Sequence, residues 1–177
     1  MQSILDPTLK SQLEFKEKYE LSSSCIAGGA LYKGIGKYLG MEVKDSEKFT
    51  ADENTDLDGK FSLAVSELKK NDFVFLHIKG CDPLSHDGKL DEKRKFIEKI
   101  DKKLDFIFDL EDTLTVITSD HSTPCVLKSH SSDPVPVLFY GWERKNCKEF
   151  HETCSDFLIN HIDVMPIILG IIGKAKM

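Results

Sequence analysis

No stretch of this 177-residue sequence is apolar for long enough to span a bilayer: the longest apolar run, residues 167–172, falls far short of the ~20 residues that a membrane helix needs. The first ten residues, MQSILDPTLK, hold no apolar stretch of signal-peptide length. The protein is therefore expected to be soluble and cytoplasmic, without a membrane partner. A basic excess is missing as well. With a formal charge of −6 and a pI near 5.5, the chain has no surplus cations to release phosphate counterions, which argues against nonspecific nucleic-acid binding. The five cysteines (Cys25, Cys81, Cys125, Cys147 and Cys154) form an odd set without CxxC spacing. Neither a disulfide framework nor a structural zinc site is expected from them, only free buried thiols.

What is present suits one globular core: 40% of the residues are apolar. Residues 1–23 are polar, with a weak helical pattern in LKSQLEFKEKY, and read as a lead-in to a domain over 24–177. From Ser24 onward, CIAGGALYKGIGKYLG predicts a helix, with Ser22, Ser23 and Ser24 as N-cap candidates, Gly40 as a stop, and glycines that allow close packing on a sheet. A short strand and a polar loop follow. DGKFSLAVSELKK then predicts an amphipathic helix with Phe61, Leu63, Ala64 and Leu68 inward. Residues 73–78 predict a strand covered on both faces, ending in a loop, GCDPLSHDG. Leu90, Phe96, Ile97, Ile100, Leu104 and Ile107 recur at helical steps, predicting one long surface helix. LTVITSDH predicts a second buried strand and VPVLFYG a third, with Pro134 and Pro136 at its start. Helical segments are expected at 156–160 and 163–172. Strands separated by helices of crossover length imply an α/β fold with a mainly parallel sheet flanked by helices.

In such sheets ligands gather beyond the carboxyl ends of the strands. Asp82 and His86 stand in one such position, Asp120 and His121 in another, and His130 in the loop after them. Taken singly, each is more often a cap or a hydrogen-bonded loop residue. Taken in order, carboxylate oxygens with imidazole nitrogens suit Mn²⁺, Zn²⁺ or Co²⁺, and ligands shared between two ions would make a phosphoryl-transfer clamp. An all-oxygen magnesium site would not need three histidines. His77 shares a strand face with Phe73 and Phe75 and reads as a core histidine or a partner of a ligand. His151 and His161 read as surface residues.

The ordered pattern Asp-x3-His, Asp-His, His resembles the alkaline-phosphatase superfamily of metal-dependent phosphatases, phosphomutases and sulfatases. The segments CIAGGALYKGIGKYLGM, FVFLHIKGCDPLSHDGK, TVITSDHSTPCVLKSHSSDPVPVLFYG and HIDVMPIILGIIG resemble, from about Cys25 to Gly173, the archaeal-type 2,3-bisphosphoglycerate-independent phosphoglycerate mutases. The resemblance implies that Asp82, His86 and His130 bind one divalent ion and Asp120 with His121 a second. Manganese comes first, with zinc, cobalt or magnesium as alternatives and no organic cofactor. It also implies interconversion of 3-phosphoglycerate and 2-phosphoglycerate, in glycolysis and gluconeogenesis, through a phosphoserine intermediate. Lys33 and Lys79 would then meet the substrate's phosphate or carboxylate. In that family the nucleophilic serine and one further aspartate come from an amino-terminal segment that has no counterpart here. Ser122 and Ser85 are not expected to replace it, and Ser85 stands where the family usually has glycine.

The resemblance thus implies the C-terminal part of an alkaline-phosphatase-like metal-binding domain lacking its N-terminal strands, with no catalytic nucleophile of its own and inactive alone. Its expected partner is the missing N-terminal half or another copy of itself, at an exposed sheet edge. The alternatives are a phosphatase or phosphodiesterase of the same superfamily, or a noncatalytic metal-binding module.

Overall fold

The structure, a computed structural model, describes residues 14–141, 150–153 and 158–174. Cys147, Cys154 and the expected helix start at Asp156 lie outside the described residues. In chain order the elements are α1 (Phe15–Tyr19), β1 (Ser23–Ile26), α2 (Ala30–Tyr38), β2 (Glu42–Lys44), α3 (Leu57–Leu68), β3 (Phe73–Leu76), α4 (Cys81–His86), α5 (Leu90–Asp101), α6 (Asp105–Phe108), β4 (Thr115–Thr118), β5 (Val137–Tyr140) and α7 (Val164–Ile171). A 3₁₀ turn at His161–Asp163 leads into α7, and residues 158–160 are not helical. None of the described helices is long and apolar enough to cross a membrane.

A three-stranded parallel sheet in the order β2-β1-β3 forms the centre, with Cys25 opposite Val43 on one side and Phe75 on the other. Alternation along β1 sends Cys25 to one layer and Ile26 to the other. Cys25 packs with Phe15, Leu21, Ala27 and Met41, and Ile26 with Phe49 and Ala64. Two residues of the expected lead-in, Phe15 and Leu21, therefore belong to the core.

The helix expected from Ser24 starts only at Ala30, because its first residues are β1. Ser22 caps no helix; its hydroxyl bonds Asp72 Oδ2 at 2.7 Å and ties the start of β1 to that of β3. Gly28 and Gly29 disfavour helical propagation, so the chain turns there before α2 begins. The expected close packing is found at Gly36, where an added Cβ would lie 2.9 Å from Cys25 Cβ and Sγ, whereas at Gly34 it would meet nothing within 4 Å. Gly36→Ala is expected to lower stability by about 1–2 kcal/mol, overpacking outweighing helix propensity, while Gly34→Ala raises it by up to about 1 kcal/mol. Urea unfolding of the two variants reads the difference; equal shifts would contradict it.

Three further elements depart from expectation. Residues 81–86 form a helix rather than a loop, so Asp82 and His86 face the same side at i and i+4. Ser85 is fully buried there and its hydroxyl donates to the Cys81 carbonyl at 2.8 Å, a helical role that needs no glycine. The long surface helix breaks between α5 and α6, where i→i+3 bonds from Lys103 and Leu104 replace the α pattern and Lys103 Nζ reaches Asp58 on α3 at 2.6 Å. Finally, β4 and β5 pair antiparallel, Thr115 opposite Tyr140, as a separate two-stranded sheet. The connection between them carries no crossover helix to bring the chain back to the starting end, so the second strand returns antiparallel. Phe75 on β3 keeps 37% of its surface exposed, so the strand is not covered on both faces. Among the described cysteines, Cys25 and Cys125 are buried and Cys81 half-buried, all as free thiols.

Candidate metal centre

Helix α4 follows β3 directly, and the loop after β4 returns across it. Asp82 Oδ1 lies 3.3 Å from His86 Nε2 and 3.4 Å from His130 Nε2, and the two imidazole nitrogens are 3.3 Å apart. These three donors form a nearly equilateral triangle. A four-coordinate ion with bonds of ~2.0–2.1 Å requires donor separations of about 3.3–3.4 Å, so the triangle matches one face of a tetrahedral site. The tautomer of His86 suits this too: its Nδ1 is 3.0 Å from the Lys128 carbonyl, which can only accept, so Nε2 keeps its lone pair. Lys128 presents that carbonyl from a left-handed backbone conformation, φ 52°. Asp82 Oδ2 is capped by the Lys79 ammonium. Burial works to raise the Asp82 carboxyl, but Lys79, Thr123 and His86 outweigh it and hold it below the ordinary carboxylate range.

Asp120 and His121 form an adjoining pair. His121 Nε2 lies 3.4 Å from Asp120 Oδ2, and the His121 ring stacks on His130 with centroids 3.7 Å apart. Asp120 Oδ2 also accepts from the Tyr32 phenol, and its Oδ1 from the His121 backbone N–H at 3.1 Å. Burial first, then Asp120, pushes the Tyr32 hydroxyl up to about 12, so it remains a donor. Tyr32 stacks in turn on His77, at 3.5 Å between centroids. Burial holds the His77 imidazole down to about 4, and its buried Nδ1 has no hydrogen-bond partner. Among the described residues the only group of three whose ligand atoms all lie within 4.8 Å of one another is Asp82, His86 and His130; Asp120 and His121 supply two donors beside it.

The two lysines fall in different places. Lys79 is at the centre, on Asp82. Lys33 pairs with Asp45 at 2.6 Å and lines a surface cavity of about 420 Å³ with Asp45, Ser46, Glu47 and Phe49. His151 and His161 are exposed. Sequence reasoning missed Tyr32 and Thr123, whose contacts with Asp120 and Asp82 join residues far apart in the chain.

The family model described as Metalloenzyme superfamily matches residues 6–167. The chain belongs to that superfamily. Among curated relatives, a 2,3-bisphosphoglycerate-independent phosphoglycerate mutase of Methanoculleus marisnigri is 44% identical over 92% of this chain and 41% of its own length. A second, from Methanocaldococcus jannaschii, is 36% identical over 91% and 41%. The chain thus spans about two fifths of the length of the curated relatives it matches. A solved protein from Pyrococcus horikoshii superposes with a TM-score of 0.86 at 32% identity, over 94% of this chain and 53% of the other. The cofactor-independent phosphoglycerate mutase of Thermoplasma acidophilum does so with 0.72 at 26%, over 91% and 39%. Membership of a metalloenzyme superfamily accords with the donor triangle.

Proposed function

We propose that these residues form part of the two-cation centre of a phosphoglycerate mutase that interconverts 3-phosphoglycerate and 2-phosphoglycerate through a phosphoserine intermediate. The donor triangle of Asp82, His86 and His130 carries the metal reading. The mutase reaction is drawn from the relatives' names. Asp82, His86 and His130 hold one ion, and Asp120 with His121 contributes to a second. Bound divalent cations supply neutralisation of the phosphoryl oxygens and a lowered pKa for an attacking hydroxyl. Manganese is the ion proposed first, as the resemblance implies, while the tetrahedral spacing of the triangle and its two nitrogens suit zinc as well.

The chain's own residues position these groups. Lys79 offsets the Asp82 charge and, with a divalent ion held by Asp82, would be free to meet the anionic substrate. Lys33 is the proposed second contact, by exchanging Asp45 for the substrate's phosphate or carboxylate. Three hydroxyls near the ligands have partners: Ser85 the Cys81 carbonyl, Thr123 Asp82, and Ser131 Asp133 at 2.6 Å. Because the chain spans about two fifths of its relatives' length, the attacking serine is proposed to come from sequence outside these 177 residues, and the chain alone is expected to lack turnover.

Joined to the remaining portion of the Methanoculleus marisnigri relative, the chain is expected to convert 3-phosphoglycerate into 2-phosphoglycerate, with turnover lost on chelation and restored by Mn²⁺. A folded, metal-loaded chimera without turnover would refute the mutase reading. Hydrolysis of an aryl phosphate by that chimera would favour the phosphatase alternative instead.

A further inference from the structure

Thr123 sits in the loop between β4 and β5, 7% exposed, and the metal reading leaves it without a task. Its hydroxyl donates to Asp82 Oδ1 at 3.2 Å and lies 3.0 Å from His121 Nδ1. A threonine hydroxyl has one hydrogen, and an ionised carboxylate has none to give. The hydrogen goes to Asp82, so His121 Nδ1 must donate to Thr123 Oγ. His121 is thereby fixed as the Nδ1–H tautomer, with the Nε2 lone pair on the side of Asp120 Oδ2, 3.4 Å away. A single oxygen thus touches one member of each ligand set: Asp82 of the triangle and His121 of the pair.

The scaffold that places Thr123 is independent of the ligands themselves. Lys93 Nζ on α5 donates to the Thr123 carbonyl at 3.0 Å. Next to it, Ser122 and Ser131 form an antiparallel bridge, with Ser131 N–H on the Ser122 carbonyl at 3.0 Å. Helix and bridge together hold the hydroxyl where both partners need it.

We infer that Thr123 is a positioning residue that selects the metal-competent tautomer of His121 and links the two cation sites through one hydroxyl. The inference rests on the two-cation reading for its consequence; in the metal-free chain the Thr123 bond sets the tautomer against the pull of Asp120, whose carboxylate favours a proton on His121 Nε2. Partners of ligating groups typically change metal affinity by ~10–100-fold when removed. A valine at 123 has nearly the same shape without the hydroxyl, so it frees His121 to take the other tautomer and strips a hydrogen bond from Asp82.

Nitrogen-15 NMR of the imidazoles in the metal-free chain at pH about 8.5, well above the ordinary histidine pKa, provides the first test. The wild type and Thr123→Ser are expected to show His121 protonated on Nδ1, and Thr123→Val to lose that preference. Mn²⁺ titration should then show Thr123→Val weakened by ~10–100-fold and Thr123→Ser within a few-fold of wild type. An unchanged His121 tautomer in a folded Thr123→Val overturns the inference, as does wild-type His121 protonated on Nε2, a result that needs no variant to fold. A wild type that binds no Mn²⁺ sinks the metal reading instead, and the tautomer measurement still decides the role of Thr123.

Discussion

Asp82→Ala is expected to lower Mn²⁺ affinity by more than ~100-fold, because on the proposed assignment it removes a direct ligand, where loss of an outer partner already costs ~10–100-fold. Its Oδ1 is the vertex of the donor triangle opposite both imidazole nitrogens, so the truncation leaves two histidines without an anionic donor. It also frees Lys79 beside them, an ammonium that then repels an incoming cation. Asp120→Ala is expected to leave binding at the triangle within a few-fold, since Asp120 lies outside that group of three. Calorimetric titration with elemental analysis of bound ions separates the two variants. Equal losses in both would mean that the five residues behave as one site, and retained affinity in a folded Asp82→Ala would refute the assignment of Asp82.

The contrast between these two aspartates shows where sequence is informative. Asp82, His86, Asp120 and His121 all follow apolar runs, and the carboxyl ends of such strands are where ligands collect. Their candidacy as ligands therefore follows from pattern. Their local geometry does not. Residues 81–86 read as a loop because Gly80 and Pro83 punctuate them, yet proline is tolerated in a first helical turn, and the helix gives Asp82 and His86 a common face. The contributions of Thr123, Tyr32 and the Lys128 carbonyl are contacts across elements, or come from backbone, and leave no mark in residue spacing.

The fold was legible to a similar depth. Hydrophobic periodicity located α3, β3, β4 and β5, but the segment 24–40 satisfies helical spacing and strand alternation at once. Burial decided it: Ser24, Cys25, Ile26 and Ala27 have no exposed surface, which a strand covered by core on both faces explains and a surface helix would not. Pairing direction followed from the helices between strands for β1, β2 and β3, which pair parallel, and failed for β4 and β5, whose connection carries no helix. Here the loop from β4 to β5 stays at the end of the sheet that carries Asp120, His121 and His130, and the antiparallel return is what brings His130 back onto α4.

Lys60 is expected to make stability rise with pH in the alkaline range. Periodicity places it at the edge of the α3 inward face, yet it is fully buried, and among the described residues no carboxylate pairs with it. Its ammonium donates to the His77 carbonyl at 3.1 Å, with the Phe49 ring 5.9 Å away. Buried Glu67 on the same helix, by contrast, has Lys44 and Lys70, each at 3.1 Å. Burial, then Lys33, lowers the Lys60 pKa from 10.5 to about 8. Between those values the unfolded chain binds the proton and the folded chain does not, so stability increases as pH rises from 8 to 10.5. The gain is about 3 kcal/mol, and below pH 8 the cost of the buried cation is present in full. Lys60→Met should lose this pH-dependent gain and be at least as stable as wild type at pH 7, since removing an unpaired buried cation offsets the ~1 kcal/mol hydrogen bond to His77. Urea unfolding of both proteins at pH 7 and pH 10 isolates the effect, because the other titrating groups are shared. Parallel pH dependences in the two would refute it. A smaller gain in the variant would show that His77, just past β3 and two residues before Lys79 and five before Asp82, is held by a cation that the fold tolerates at a cost.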